Sequence, residues 1–250
     1  QVQRNGEPDI IYRKIASSLR SDTVLFLNNE EPISHSFASM VDKAVYYGVA
    51  ENAKSFVKQG FFTTTVPCPH CGAPIRFLRY NIDNIGSFAC SRCDYASDKA
   101  PAYFIHSVDY ENRSFMMGNR VYPLPYDAPY FLYCYAAAIA MAREAGVSED
   151  DCVAALSKFV NIGGRLESLH FGTKTINYIR MKQENPETLQ SALDYIATDK
   201  KKKIFMLGLD ELVDFHPHYT NTFYAFDCDF DKLIDSNVCR YICFSGTVAY

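Results

Sequence analysis

The sequence predicts an α/β protein in which a small zinc-ribbon module interrupts the first of two α/β runs. Three observations support this fold class. Short apolar segments alternate with segments of helical periodicity in the first part of the chain, the same alternation returns in the second part, and two Cys-x-x-Cys pairs lie in turn-rich sequence between them. The chain has 250 residues, 48% of them hydrophobic and 22% charged, which is enough for one large or two ordinary globular domains.

The first fifty residues are predicted to alternate between helix and strand. In residues 7–20 apolar side chains repeat every four positions, which predicts a helix. Residues 23–27, "TVLFL", form a continuous apolar run that is typical of a strand buried on both faces of a parallel sheet. A crossover helix at 33–41 and a second strand at 43–49 follow. This order predicts half of a doubly wound α/β domain.

Further elements are predicted beyond this first run. Residues 66–105 form the cysteine module. Ser148 and Asp151 form a capping box, which predicts a helix that reaches about Val160. The other predicted elements are strands at 102–108, 113–118, 164–171, 175–181, 203–209, 223–227 and 240–244, a long helix within 122–146, and a helix at 185–197.

Composition and charge argue against several classes of protein. The formal net charge is -4, which disfavours nucleic-acid binding because that binding depends on basic patches. No signal segment opens the chain, and the most apolar run, residues 130–142, is too short to span a bilayer. The cysteines number nine, with four in metal-ligand spacing, unlike the disulfide framework of a small secreted domain. We therefore expect a cytoplasmic protein with no transmembrane segment.

Four cysteines predict a structural zinc site. Cys68, Cys71, Cys90 and Cys93 form two Cys-x-x-Cys pairs separated by a linker of zinc-ribbon length. Four thiolates surround zinc tetrahedrally and leave no open position for water or substrate. The metal is therefore expected to stabilise the module rather than to take part in a reaction.

Nucleic-acid binding is an alternative function for this module. Arg76 and Arg79 lie next to Phe77 and Tyr80, and interleaved basic and aromatic side chains can stack on bases. Three aspartates in the same module oppose that function. Together with the net charge, they lead us to expect no nucleic acid as a partner.

The order of motifs along the chain is specific. The segment "VLFLNNEEP" is followed by the four-cysteine ribbon, by "YPLPY" before an alanine-rich helix, by "GGRLE" and by "FDCDFD". This order resembles the Mur-ligase-like subunit of lipid II isoglutaminyl synthase, the MurT family, over residues 9–250. The resemblance implies part of a Mur-ligase central ATP-binding domain at 1–160, with the zinc-ribbon insertion at about 66–105. It also implies a smaller Rossmann-like α/β C-terminal domain at 161–250.

The resemblance implies a nucleotide site. Family members carry Asn-Ala-Asp-Asp-Pro beside the adenine and ribose, and the matching "NNEEP" supplies Asn28, Glu30 and Glu31 as candidates. Arg165, in the family's Gly-Arg-x-Glu element, is expected to reach the phosphates because a guanidinium matches phosphate geometry. The alternative for this side chain is a surface ion pair with Glu167.

A third family element is kept only in part. Family members read Lys-Asn-Pro-Ala-Gly-x-Asn, whereas residues 184–190 read "ENPETLQ", so Asn185 and Pro186 alone match. Asn185 is a nucleotide candidate by resemblance, although a helix N-cap followed by proline explains the same two residues. The phosphate loop Gly-x-x-x-x-Gly-Lys-Ser/Thr does not occur, and in this family it lies upstream of residue 1. We expect an internal piece of a longer protein.

The last implied site lies near the C-terminal end of the sequence. Asp227 and Asp229 match the family's Asp-x-Asp-Phe element, in which an aspartate is thought to complete the Cys-His pair of a GatD-like glutaminase. A carboxylate beside an imidazole fixes its tautomer and stabilises the imidazolium. Asp227 is the preferred candidate. The alternative is that both acids cap the short helix predicted at 230–235.

The function implied by the resemblance is that of the synthetase subunit of a glutamine-dependent amidotransferase. In the full-length parent, ATP with magnesium would activate the D-glutamate of lipid II, and ammonia from a GatD-like glutaminase would give D-isoglutamine. The lipid-linked substrate implies work at the inner face of the membrane. The alternative is a non-catalytic zinc-ribbon binding or scaffold protein on a degenerate Mur-ligase fold.

Overall fold

The computed structural model describes most of the chain, in two compact units that comprise residues 1–160 and 161–250. The described residues are 8–58, 66–82, 85–160, 167–179, 186–209, 225 and 227–245.

A mixed five-stranded sheet forms the centre of the first unit. Its strand order is β1-β2-β5-β6-β7, in which β1, β2 and β5 are parallel and β6 and β7 continue as an antiparallel meander. The parallel half agrees with the predicted doubly wound pattern. The meander does not, because short connections cannot make the crossover that parallel strands need. The strands are β1 (Val24–Asn28), β2 (Lys43–Val49), β5 (Tyr103–Asp109), β6 (Ser114–Met117) and β7 (Arg120–Pro123).

Helices pack against this sheet. Pro129 begins the longest helix, and its buried residues Leu132, Ala136, Ile139 and Ala140 recur at helical spacing. Ser148 accepts a hydrogen bond from the Asp151 amide, as the capping box predicts, although that helix ends at Ser157 rather than Val160. The helices are α1 (Pro8–Ala16), α2 (Pro32–Ser36), α3 (Pro129–Glu144) and α4 (Glu149–Ser157), and a 3-10 turn (Phe37–Met40) follows α2.

The cysteine module contains a small antiparallel pair of strands, β3 (Ile75–Phe77) and β4 (Phe88–Cys90). Isolated bridges pair Pro67 with Pro74 and Ala89 with Ala96, so each cysteine knuckle is closed by backbone pairing.

The second unit has a hairpin and a separate parallel strand pair. Strands β8 (Glu167–Phe171) and β9 (Lys174–Tyr178) form the hairpin, and β10 (Lys203–Leu209) pairs in parallel with β11 (Val238–Ser245). Helix α5 (Pro186–Thr198) and a 3-10 helix (Asp231–Ser236) accompany the parallel pair. Their shared core contains Leu189, Leu193, Phe205, Cys228 and Leu233.

One predicted strand of the second unit is wrong where the structure describes it. Within residues 223–227, Ala225 and Asp227 lie in a 3-10 turn, and the other three lie outside the described residues. The apolar residues of this segment suggested a strand, but Cys228 is buried in the core beside the 3-10 helix instead.

Candidate functional site

The four predicted metal ligands lie together. The sulfur atoms of Cys68 and Cys93 are 3.7 Å apart, and those of Cys71 and Cys90 are 3.5 Å apart. All four sulfur atoms lie within 4.8 Å of one another. Sulfurs bound tetrahedrally to zinc at about 2.3 Å lie about 3.8 Å from each other. The residues present therefore fit a tetrahedral zinc ion, which they could hold as four thiolates.

Backbone hydrogen bonds shape the two knuckles, and those of the second knuckle favour a thiolate at Cys90. In the first knuckle, the Gly72 amide donates to the Cys68 carbonyl at 2.9 Å, and Gly72 has φ +71°, which glycine adopts without strain. In the second, the amides of Arg92 and Cys93 point at the Cys90 sulfur, at 3.3 Å and 3.5 Å. The Arg92 amide is the main cause that lowers the pKa of Cys90 to about 6. These donors favour the charged, metal-binding form of Cys90, whereas burial raises the pKa of Cys68.

An apolar cluster supports the cysteines from within the module. Cys68, Ile75, Phe88 and Tyr95 are buried together, and Phe88 is 1% exposed. The hydroxyl of Tyr95 donates to the Pro32 carbonyl, so the module is fastened to the start of α2.

The predicted nucleotide candidates Asn28, Glu30 and Glu31 lie in a turn at the carboxyl end of β1, which we call the acidic turn (residues 28–31). The side-chain oxygen of Asn28 accepts a hydrogen bond from the Glu30 amide at 3.0 Å. The Glu31 carboxylate accepts hydrogen bonds from the amides of Ile33 at 3.1 Å and Ser34 at 2.6 Å. Glu31 is therefore the N-cap of α2.

Glu30 points into the protein. It is 3% exposed, and its carboxylate accepts hydrogen bonds from the Asn29 side chain at 2.6 Å and from the Val49 amide at 2.9 Å. Burial raises its pKa to about 7, against the opposing effect of these two donors. Both glutamates thus have partners within the fold, and their contact with a nucleotide stays a prediction.

Three polar residues around Glu30 were not predicted as part of the site. The Asn81 side chain donates to the Val49 carbonyl at 2.7 Å and to the Tyr133 hydroxyl at 2.9 Å. Asn29 is fully buried and contacts Asp98 of the cysteine module. The repeated asparagine in "NNEEP" was a visible signal for Asn29, whereas no local pattern marks Asn81 or Tyr133.

The remaining candidates belong to the second unit or lie outside the described residues. Arg165 and Asn185 are among the latter, so their predicted roles at the nucleotide rest on the sequence. Asp229 accepts a hydrogen bond from the Asp231 amide at 3.0 Å, and its own amide donates to the Gln190 side chain at 2.7 Å. This contact satisfies the first amide of the 3-10 helix and so agrees with the capping alternative for Asp229, although the N-cap position itself is Phe230. Asp227 is exposed.

Comparison with known proteins agrees with the motif order. The family model "MurT ligase C-terminal" matches residues 183–250. The lipid II isoglutaminyl synthase (glutamine-hydrolyzing) subunit MurT of Streptococcus pneumoniae (strain ATCC BAA-255 / R6) is 22% identical over 243 residues, which cover 95% of this chain and 53% of that protein. The predicted resemblance to MurT is confirmed. The chain spans about half the length of this MurT protein.

Solved structures confirm the predicted Mur-ligase type of α/β fold. A pseudomurein peptide ligase type C from Methanothermus fervidus matches with a TM-score of 0.67 and 19% identity, covering 96% of this chain and 48% of that one. MurF from Acinetobacter baumannii matches with a TM-score of 0.52 and 11% identity over the same shares. At these identities the likeness concerns the fold. Among the described residues, no helix combines the length and apolar character needed to cross a membrane.

Proposed function

We propose that this MurT-like chain is part of the synthetase subunit of a glutamine-dependent amidotransferase, which converts the D-glutamate of lipid II to D-isoglutamine. One observation carries the proposal. The similarity to a MurT subunit extends over 95% of the chain, and is not confined to the widespread ribbon or to one unit.

The proposed reaction has two steps. The α-carboxylate of D-glutamate attacks the γ-phosphate of ATP, which forms an acyl phosphate and releases ADP. Ammonia then attacks the acyl carbon, the C–N bond forms as the C–O bond to phosphate breaks, and the ammonia nitrogen loses a proton. Phosphoryl transfer depends on positioning and on cationic stabilisation of the phosphates, usually by magnesium and by basic side chains.

Residues of this chain are assigned to nucleotide binding by the same proposal. Asn28, Glu30 and Glu31 would border the adenine and ribose, Arg165 would contact phosphate oxygens, and Asn185 would lie beside the nucleotide. The guanidinium of Arg165 offers paired donors that match phosphate geometry. ATP and magnesium would bind in the longer parent protein.

The nitrogen source would be a GatD-like glutaminase bound to this subunit. Its Cys-His pair releases ammonia from glutamine, and an aspartate of this chain would orient the histidine. Asp227 is the candidate of choice, because it is exposed and Asp229 already accepts the Asp231 amide. Zinc at the four cysteines would stabilise the ribbon, and the lipid-linked substrate would bring the enzyme to the inner face of the membrane.

A non-catalytic scaffold is the second candidate function. The observation that favours it is the placement of the Glu30 and Glu31 carboxylates, which are occupied by amide donors of the fold. A scaffold of this kind would keep the Mur-ligase fold and the ribbon but would not bind ATP.

Reconstitution of the full-length parent with its glutaminase tests these two functions. Lipid II, glutamine and ATP with magnesium are supplied, and the stem peptide is analysed by mass spectrometry. The ligase proposal expects D-isoglutamine that forms only when ATP is present, with ammonium able to replace glutamine. An assembled complex that neither binds ATP nor amidates lipid II would support the scaffold instead.

A further inference from the structure

We propose that Asn29 is a positioning residue that couples the zinc ribbon to the acidic turn. The inference rests on the zinc part of the proposed function, but not on the ligase reaction. According to this inference, zinc binding at the cysteines determines how firmly the Glu30 carboxylate is held at the end of the parallel strands, and the hydrogen bonds of the Asn29 side chain carry the effect.

The contacts of Asn29 link two segments that are distant in sequence. Its side-chain oxygen accepts a hydrogen bond from the Asp98 amide at 2.9 Å, and its side-chain nitrogen donates to the Asp98 carbonyl at 3.0 Å. The same nitrogen donates to the Glu30 carboxylate at 2.6 Å. Because the side chain is 0% exposed, water cannot replace these partners. The carboxamide of Asn29 supplies the two N–H donors and the one acceptor that this arrangement uses.

The residues just before Asp98 pair with the strand of the ribbon that contains the metal ligand Cys90. The Cys90 amide donates to the Tyr95 carbonyl at 2.7 Å, and the Ser97 amide donates to the Phe88 carbonyl at 3.1 Å. Residues 95–97 therefore pair with β4, which ends at the ligand Cys90. Metal binding that fixes Cys90 and Cys93 would fix this segment, since binding at a closed thiolate site is coupled to local folding.

The ribbon also contacts the acidic turn through a second hydrogen bond. The Gly86 amide donates to the Glu30 carbonyl at 3.1 Å. The side chain of Glu30 accepts the Val49 amide on the sheet side of the turn. A disturbance of the backbone at Asp98 would pass through the Asn29 side chain to the Glu30 carboxylate, and from there to the Val49 amide.

Hydrogen exchange at the Val49 amide measures this coupling in the zinc-loaded chain. Removal of zinc with a chelator should accelerate Val49 exchange on the order of tenfold or more, as expected when a buried hydrogen bond is weakened. Asn29→Ala should retain zinc, exchange faster at Val49 before chelation, and show a smaller further acceleration than the wild type, because among the described residues only the Gly86–Glu30 hydrogen bond still links the ribbon to Glu30. Exchange at Phe115, in the antiparallel part of the sheet, should remain slow throughout.

Two further variants complete the test. Asn29→Leu keeps the branched shape but loses both the donors and the acceptor, so it should behave as Asn29→Ala and replaces that variant if the cavity left by alanine prevents folding. Asp98→Ala removes an exposed carboxylate but keeps the backbone groups that Asn29 binds, so it should respond to chelation as the wild type does. The inference is overturned if zinc removal leaves Val49 unchanged, if Phe115 accelerates equally, or if the Asn29 variants respond as the wild type. None of these readouts requires amidation, so failure of the coupling and failure of the ligase proposal are distinguishable.

Discussion

The Glu30 carboxylate accepts a hydrogen bond from the Val49 amide at 2.9 Å, and this contact joins the carboxyl ends of the neighbouring parallel strands β1 and β2. In a parallel α/β sheet, ligands usually bind at this edge. Here the edge is organised around a buried acid whose donors come from the sheet and from Asn29. The acidic turn therefore affects stability whether or not it also contacts a nucleotide.

Glu30 should make stability depend on pH. Its pKa is about 7 in the folded chain and has its ordinary value of 4.5 in the unfolded chain, so the folded state binds more protons between these values. This contribution to stability is fully present below pH 4.5 and is lost as the pH rises through about 7. The loss should be on the order of 3 kcal/mol. In urea unfolding between pH 4.5 and 8, the free energy of unfolding of Glu30→Gln should fall less with rising pH than that of the wild type.

The matched control for this experiment is Glu111→Gln, which neutralises an exposed glutamate in the loop after β5. Its free energy of unfolding should change with pH as steeply as that of the wild type. If the free energies of unfolding of the wild type and of Glu30→Gln change equally with pH, Glu30 is not the cause of the pH dependence.

Gly48 should tolerate no side chain. A Cβ atom at this position would lie 2.4 Å from Glu30 Oε1, and the carboxylate cannot move away without losing the Asn29 and Val49 donors. Gly48→Ala should destabilise the chain by about 2–3 kcal/mol in chemical denaturation. Gly118→Ala is the comparison, because its Cβ would meet open space and its cost of about 1 kcal/mol would come from the positive φ. A smaller loss for Gly48→Ala than for Gly118→Ala would contradict the close approach.

The purified chain should contain one zinc ion bound by the four cysteines. Cys90→Ser should lower the zinc content in elemental analysis, because a hydroxyl at this position replaces a thiolate that two amides stabilise. Cys239→Ser, which changes an exposed cysteine of β11, should retain the metal. Full zinc content in Cys90→Ser, or none in the wild type, would refute the proposed site.

Sequence patterns predicted the parts of this chain that depend on short-range order. Apolar runs gave β1, β2 and β10, and the ligand spacing placed the sulfurs of Cys68 and Cys93 close enough to share a metal. The link between Asn29 and Asp98 joins residues that are 69 positions apart, and no periodicity reports such a pair. No sequence pattern predicted the burial of Glu30 either, since a glutamate after a strand is normally exposed to solvent. Its buried state follows from donors at positions 29 and 49, which only the folded chain brings together.

The two aspartates of the second unit should differ in role. Asp229 accepts the Asp231 amide at the start of the 3-10 helix, so Asp229→Ala should lower the stability of the second unit by about 1 kcal/mol, as loss of one side-chain-to-backbone hydrogen bond does. Asp227 is exposed and is the candidate that would orient the glutaminase histidine. In the reconstituted full-length complex, Asp227→Asn should slow glutamine hydrolysis strongly while the subunits remain assembled, because an amide in place of the carboxylate no longer stabilises the imidazolium. Asp229→Asn is the matched substitution, since its side-chain oxygen can still accept the Asp231 amide, and the complex that carries it should hydrolyse glutamine at the wild-type rate.

Two outcomes would change this assignment. Normal hydrolysis by Asp227→Asn in an intact complex would exclude this aspartate from the triad. Slow hydrolysis by Asp229→Asn alone would transfer the role to Asp229.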